Sequence, residues 1–183
     1  GLLGQILEPV ELHDEKKKKK KKKPWALTGA KGRQANVIRS LFVREGELER
    51  HNLALQEKYR AIEASETLFE KYRTEDARIL MVAWGSVARI ARGAVDRARA
   101  QGIQAGLFRP ITLWPWPSAV LSTHFPQVQS ISVVEMNAGQ MVEDVRLAVN
   151  GRVPVTFKGF LGSRIPTETE MFTELLALNG SHV

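Results

Sequence analysis

Residues 79–109 read ILMVAWGSVARIARGAVDRARAQGIQAGLFR, and this stretch decides the fold class. The apolar run at 79–83 is typical of a strand that is buried on both faces. Apolar residues then recur at helical spacing from Val87 to Ala98, while the charged residues fall largely on the opposite face. Gly102 is suited to end that helix, and residues 103–108 form a second apolar run. A strand, a helix and a second strand are therefore predicted.

Residues 130–157 repeat this order. The run 130–136 is rich in β-branched residues and predicts a strand. A turn follows at Asn137 and Gly139, and an apolar stripe predicts a helix over 141–149 that ends at Asn150-Gly151. Residues 153–157 predict a further strand. Strands that alternate with helices in this way favour a three-layer α/β/α domain with a mostly parallel sheet.

Two polar residues are expected to cap helices. Ser86 can accept a hydrogen bond from a free N–H of the helix that follows Gly85. Thr167 and Glu170 have the spacing of a capping box, ahead of an apolar stripe within 171–178. Asn179-Gly180 is expected to end this last helix.

The amino-terminal part has a different composition. Residues 45–72 are expected to form one long helix, because Leu48, Leu55, Ile62 and Phe69 recur every seven residues. The positions four residues after the first three of these, Asn52, Tyr59 and Glu66, are not uniformly apolar. The helix therefore either lies on the surface of this domain or packs through a narrow apolar stripe against a neighbouring domain or subunit. We divide the chain into a linker (1–44), this helix (45–73) and an α/β domain (74–183).

Eight consecutive lysines, Lys16–Lys23, account for the net charge of +7, because the rest of the chain has 19 basic and 20 acidic residues. The run is interpreted as a solvated linker insertion, since like charges repel and cannot form a core. The alternative is an electrostatic arm for nucleic acid or an anionic membrane. No aromatic residue interrupts the run, which weakens the case for nucleic-acid binding.

Several kinds of site are disfavoured. The chain has no cysteine, which excludes disulfides and cysteine-ligated iron–sulfur clusters on it. The four histidines lack zinc-type spacing. No apolar run approaches the roughly 20 residues of a membrane helix, and no signal peptide is visible. We expect a cytoplasmic protein without its own metal site.

The carboxyl ends of the predicted strands are the candidate functional site, because ligands of open α/β sheets usually lie there. The helix starts after Gly85 and Gly139 could hold an anion. Alternatively, the glycines only make tight turns, and Glu135 and Arg109 are satisfied by salt bridges or hydrogen bonds. A third interpretation is that this edge docks onto a partner subunit. The residues expected at this edge are Trp84, Gly85, Ser86, Arg109, Glu135, Asn137, Gly139, Gln140 and Lys158.

Residues 113–117, LWPWP, predict a rigid loop after the second strand, because proline fixes the backbone. Trp114 and Trp116 are expected either to cover the core or to anchor an interface, where tryptophan is enriched.

Two longer stretches carry a family resemblance: VAWGSVARIARGAVDRARAQGIQAGLFRPITLWPWP (82–117) and VVEMNAGQMVEDVRLAVNGRVPV (133–155). They resemble the alpha subunit of the 2-oxoacid:ferredoxin oxidoreductases of the 2-oxoisovalerate and 2-oxoglutarate type. GLLGQILEPVEL (1–12) and KPWALTGAKGR (23–33) resemble the segment that joins the two domains of that subunit. The lysine run is not part of the resemblance.

The resemblance implies a domain similar to the transketolase C-terminal domain, within an enzyme that decarboxylates a 2-oxoacid oxidatively. Thiamine diphosphate, Mg²⁺ and iron–sulfur clusters belong to the full complex, which forms an acyl-CoA and reduces ferredoxin. The chain begins where the family's pyrimidine-binding domain should be ending, so it is expected to bind no cofactor, to carry no catalytic residue and to be inactive alone. Its implied partners are subunits of beta, gamma and delta type, with no nucleic acid and no membrane.

Deletion of Lys16–Lys23 separates the two functions considered, an oxidoreductase subunit and a binding module with a polylysine arm. We expect the deletion to leave assembly and specific polyanion binding unchanged, because a solvated run of like charges is expected to make no fold-dependent contact. The measurements are co-purification with the partner subunits and a mobility shift with a polyanion. Loss of either in the deleted chain would favour the binding module.

Overall fold

The computed structural model describes residues 23–180, which fall into two compact units that divide inside the first helix, after Glu57. In the smaller unit, residues 23–46 form turns and irregular segments. Helix α1 (Glu47–Ser65) then begins, and none of its residues is buried. Apart from Lys23, the lysine run lies outside the described residues, as does the resemblance at 1–12.

A five-stranded sheet organises the larger unit, in the order β1-β3-β2-β4-β5. Strand β1 is antiparallel to β3, and the other four strands are parallel. Ile79 in the central strand lies opposite Ala105 on one side and Ser130 on the other. The strands are β1 (Phe69–Tyr72), β2 (Ile79–Val82), β3 (Ala105–Pro110), β4 (Ser130–Glu135) and β5 (Val155–Gly159).

Helices cover both faces of the sheet, so the predicted three-layer architecture is confirmed. The helices are α2 (Gly85–Ala100), α3 (Ser118–Thr123), α4 (Met141–Val149) and α5 (Glu168–Gly180). One core joins α2 and α5 to Ile79 and Met81, and a second core joins α3 and α4 to Leu80 and Val82. Neighbouring residues of a strand point to opposite faces, which is why β2 supplies both cores.

The chain changes direction across the sheet between β2 and β4. From β2 it passes through α2 to β3 on one side, and from β4 it passes through α4 to β5 on the other. In open α/β sheets, the crevice at the carboxyl ends of two such strands is the usual ligand position. The loops after β2 and β4 therefore border the crevice in which a site would be expected.

The predicted long helix over 45–72 is wrong at its carboxyl end. Helix α1 stops at Ser65, and Phe69–Tyr72 form β1. Pairing with β3 competes successfully with the helix, because it stacks Phe69 on Phe108 with ring centroids 5.7 Å apart and places Glu70 opposite Arg109. The seven-residue spacing of Phe69 is thus not a helical feature.

Two predicted helix ends are confirmed. Helix α4 ends at Val149, and the cap residue Asn150 adopts a left-handed conformation (φ 47°), as the turn expected there requires. At the start of α5, the N–H of Glu170 donates to Thr167 Oγ1 (3.2 Å) and the N–H of Thr167 donates to Glu170 Oε2 (2.9 Å). These reciprocal bonds are the expected capping box.

Other local predictions are wrong. Trp84, not Ser86, is the cap residue of α2, and no side chain bonds to the first turn. Strands β3 and β5 begin two residues later than predicted, at Ala105 and Val155. The short helix α3 was not predicted, because a six-residue helix is too short to show a period.

Gly106 marks a close approach between β3 and the loop that precedes β2. A Cβ on Gly106 would lie 2.7 Å from the carbonyl oxygen of Arg73 and 2.9 Å from the Cβ of Ala77. Both distances are too short for real contacts, and a backbone carbonyl cannot move aside as a flexible side chain can. The packing of this loop on the sheet therefore requires glycine.

We expect Gly106→Ala to lower the free energy of unfolding by about 1–3 kcal/mol, the usual effect of overpacking a core. Gly180→Ala is the matched control, because a Cβ there meets no atom within 4 Å. Urea unfolding of both variants gives the comparison. Equal stability of the two variants would contradict the close approach.

Candidate functional site

Four loops follow the parallel strands and form the carboxyl-end edge of the larger unit: 83–84, 111–117, 136–140 and 160–167. The predicted residues Gly85 and Ser86 begin α2 beside the first loop, and Asn137, Gly139 and Gln140 lie in the third. The structure thus brings these two groups to neighbouring loops on either side of the crevice between β2 and β4.

Glu135 is the only carboxylate at the end of β4, and its side chain has no exposed surface. Its Oε2 accepts hydrogen bonds from the N–H of Met141 (2.9 Å) and from Asn137 Nδ2 (3.0 Å). Its Oε1 accepts from the N–H of Val142 (3.0 Å) and of Gln140 (3.3 Å). The expectation that hydrogen bonds satisfy Glu135 is confirmed, and this carboxylate has no free face for a substrate.

The position of Glu135 suits its negative charge. The first N–H groups of a helix have no partner within the helix, and the helix dipole favours an anion there. Burial and repulsion by Glu135 and then Glu143 raise the pKa of Asp144 in the same turn. The first N–H groups of α4 are therefore bonded to Glu135 rather than left free for a bound anion.

The residues between Glu135 and α4 bind one another. The N–H of Gly139 donates to Asn137 Oδ1 (2.7 Å), which closes a tight turn. Gly159 on β5 packs against this turn so closely that a Cβ there would lie 2.6 Å from the carbonyl oxygen of Asn137. The turn after β4 is thus fixed by internal contacts rather than kept open for a ligand.

The cationic candidates are also paired. Arg109 Nη1 donates to Glu70 Oε2 across the β1–β3 pair (2.9 Å), so the expected salt bridge is confirmed. Lys158 is the penultimate residue of β5, close to the expected strand end, and it forms an ion pair with Glu174 (3.6 Å). Neither side chain is free to bind an anion in the crevice.

The two tryptophans of the 113–117 loop have different positions. Trp116 packs against the α3–α4 core. Trp114 is 55% exposed and meets Tyr59 edge-on, with ring centroids 5.6 Å apart. Trp84 in the first loop is also exposed. One ring thus covers the core, which is one of the two expected roles, and the other lies at the surface.

The described edge offers apolar surface and little reactive chemistry. Its four loops contain a single charged residue, Arg164, which pairs with Glu170. Within residues 23–180, no group of three or more His, Asp or Glu side chains is placed to hold a metal ion. No helix in that range is long and apolar enough to cross a membrane. Sequence reasoning missed the exposed residues Ile111, Met136 and Leu161, although the first two directly follow β3 and β4 and Leu161 is the second residue after β5.

Glu135→Gln tests the role of the buried carboxylate. We expect a loss of about 1.5–3 kcal/mol in the free energy of unfolding, because hydrogen bonds to a charged group are lost and the amide NH₂ opposes backbone donors. Glu143→Gln is the control, since that side chain is 70% exposed. Urea unfolding at neutral pH measures both. A Glu135→Gln variant as stable as the control would show that the buried charge is unimportant.

The family of pyruvate:ferredoxin oxidoreductase core domain II matches residues 77–171, just over half of the chain. The ketoisovalerate oxidoreductase subunit VorB of Methanothermobacter marburgensis is 42% identical over 147 residues, which are 80% of this chain and 42% of that protein. The 2-oxoglutarate synthase subunit KorA of the same organism is 29% identical over 109 residues, 60% of this chain and 29% of that protein. This chain thus spans less than half the length of these relatives.

Solved structures agree on the fold. The 2-oxoglutarate:ferredoxin oxidoreductase from Magnetococcus marinus superposes with a TM-score of 0.62 at 20% identity, over 70% of this chain and 23% of that one. A split-gene transketolase gives a TM-score of 0.51 at 16% identity, over 59% and 40% of the two chains. With the family match and these relatives, the chain belongs to the 2-oxoacid:ferredoxin oxidoreductase family and contains its core domain II.

Proposed function

We propose that this chain is the carboxyl-terminal part of an alpha-type subunit of a 2-oxoacid:ferredoxin oxidoreductase, in which it organises assembly without carrying the chemistry. The observation that carries the proposal is the 42% identity to subunit VorB over 80% of the chain. The geometry supports a structural role, because Glu135 and Arg109 are both occupied by internal bonds.

The substrate proposed for the complete enzyme is 2-oxoisovalerate. Identity to the ketoisovalerate subunits is 42% and 43% over 147 residues, whereas identity to KorA of Methanothermobacter marburgensis is 29% over 109 residues. The better and longer match supports the branched-chain oxoacid over 2-oxoglutarate. In the complete reaction the oxoacid loses CO₂, its acyl group passes to coenzyme A, and two electrons pass to ferredoxin.

The cofactors of that reaction do not fit the described residues. Thiamine diphosphate is bound through Mg²⁺, which requires oxygen ligands, and the carboxylate at the end of β4 already accepts four hydrogen bonds. Iron–sulfur clusters require cysteine, which this chain lacks. We therefore assign thiamine diphosphate and the iron–sulfur clusters to other parts of the complex, through which ferredoxin and coenzyme A also act, and we derive no catalytic step from these residues.

A chimeric enzyme tests the proposed function. The 147 matched residues of VorB from Methanothermobacter marburgensis are replaced by the matched part of this chain, and the chimera is produced with the other subunits of that enzyme. We expect the chimera to assemble and to reduce ferredoxin with 2-oxoisovalerate in preference to 2-oxoglutarate. The measurements are subunit co-purification and ferredoxin reduction with each oxoacid.

The control is the 183-residue chain alone, titrated calorimetrically with thiamine diphosphate and Mg²⁺. We expect no saturable heat, because no described residues form the required ligand set. Saturable binding would contradict the assignment of the cofactor to other parts. A chimera that does not assemble would contradict the structural role, and a preference for 2-oxoglutarate would contradict the proposed substrate.

A further inference from the structure

Exposed apolar side chains concentrate at one end of the larger unit. Between residues 58 and 180, eleven large apolar side chains are exposed, and seven of them lie in the four loops of the carboxyl-end edge. None lies in the loops at the opposite end of the sheet, 73–78, 101–104, 124–129 and 150–154. The carboxyl-end face is defined here by Trp84, Ile111, Leu113, Trp114, Met136 and Leu161.

Every loop at this end contributes to the face. Trp84 follows β2, Leu113 follows β3, Met136 follows β4, and Leu161 follows β5. Their exposures are 39%, 42%, 38% and 64%. Scattered single apolar residues are normal on protein surfaces, whereas a concentration of them at one edge marks an interaction surface. The distribution therefore indicates that this end is covered in the assembled protein.

Charge defines the kind of partner. The loops that carry the face contain only Arg164, which is paired with Glu170, whereas the loop before β2 alone contains Arg73, Glu75, Asp76 and Arg78. A nucleic acid or a strongly charged protein would need complementary charges. Interfaces that persist are more apolar than transient ones. The face thus fits an apolar protein surface in a permanent contact.

We propose that the carboxyl-end face binds the remaining polypeptide of the alpha-type subunit, a proposal that rests on the proposed function. The matched residues are 42% of the VorB chain, so more than half of such a subunit has no counterpart here. That polypeptide is covalently joined to this domain in the relatives, which raises its effective concentration above that of any separate partner. It is therefore the occupant expected to cover an uncharged face permanently.

Capture in trans tests this docking. The part of VorB from Methanothermobacter marburgensis outside the 147-residue match is tagged and co-expressed with the 183-residue chain. The face variant is Leu113→Ser with Leu161→Ser. Its matched control is Leu176→Ser with Leu147→Ser, which changes leucines of similar exposure (40% and 79%) on α5 and α4. The measurement is the amount of chain recovered with the tag.

We expect the wild-type chain and the control variant to be captured equally, and the face variant to be captured at least about tenfold less, as for apolar residues at the centre of an interface. Equal capture of all three chains would overturn the proposal. So would a dimer of the chain alone that the face variant abolishes, because the occupant would then be a second copy.

If the wild-type chain is not captured, the result is interpreted together with the assembly of the chimeric enzyme. If the wild-type chain is not captured while the chimeric enzyme assembles and reduces ferredoxin, the docking proposal falls and the proposed function stands. If the chimera also fails to assemble, the proposed function falls with it. Should the face variant not fold, hydrogen exchange of wild-type sequences decides: the amides of 113–114 must be better protected in the chimera than in the chain alone, and equal protection overturns the proposal.

Discussion

The larger unit depends on one electrostatic arrangement, the buried carboxylate of Glu135 at the start of α4. Four N–H groups converge on its two oxygens, three of them from the backbone between Gln140 and Val142. A desolvated charge is tolerable only with such compensation. The arrangement joins the end of β4 to the helix that covers the second core, and it fixes the turn at Asn137 against β5.

The same arrangement leaves few free polar groups beside the crevice of the sheet. The loops after β2 and β4 border the crevice where open α/β sheets usually hold ligands. Here the polar groups of the β4 loop are bonded to each other, and Arg109 is bonded to Glu70. The large exposed residues around them, such as Trp84, Met136 and Leu161, are apolar. The position where open α/β sheets usually hold ligands is thus bordered here by apolar side chains and by polar groups that are bonded to one another.

The sequence was sufficient for the central part of the fold because its local signals agreed with the tertiary structure. The apolar run of β2, the stripe of α4 and the Thr167–Glu170 box each appear where expected. The predicted helix was too long because the seven-residue spacing of Phe69 is compatible with a helix. The strand with which Phe69 pairs, β3, lies far along the chain and gives no local signal. That Glu135 forms hydrogen bonds was predicted, but their donors were not, because the donors depend on how α4 packs at the end of β4. The exposure of Ile111 and Leu161 could be determined only from the folded structure.

Strand β1 has a consequence for where the domain can be cut. It pairs with the outer side of β3 from Phe69 to Tyr72, although it precedes the predicted domain start at residue 74. A polypeptide trimmed to 74–183 would leave the hydrogen-bonding groups of β3 without that neighbour. Unpaired strand edges recruit other chains by backbone pairing. Expression boundaries for this domain therefore belong before Leu68, and a shorter fragment carries a built-in tendency to aggregate.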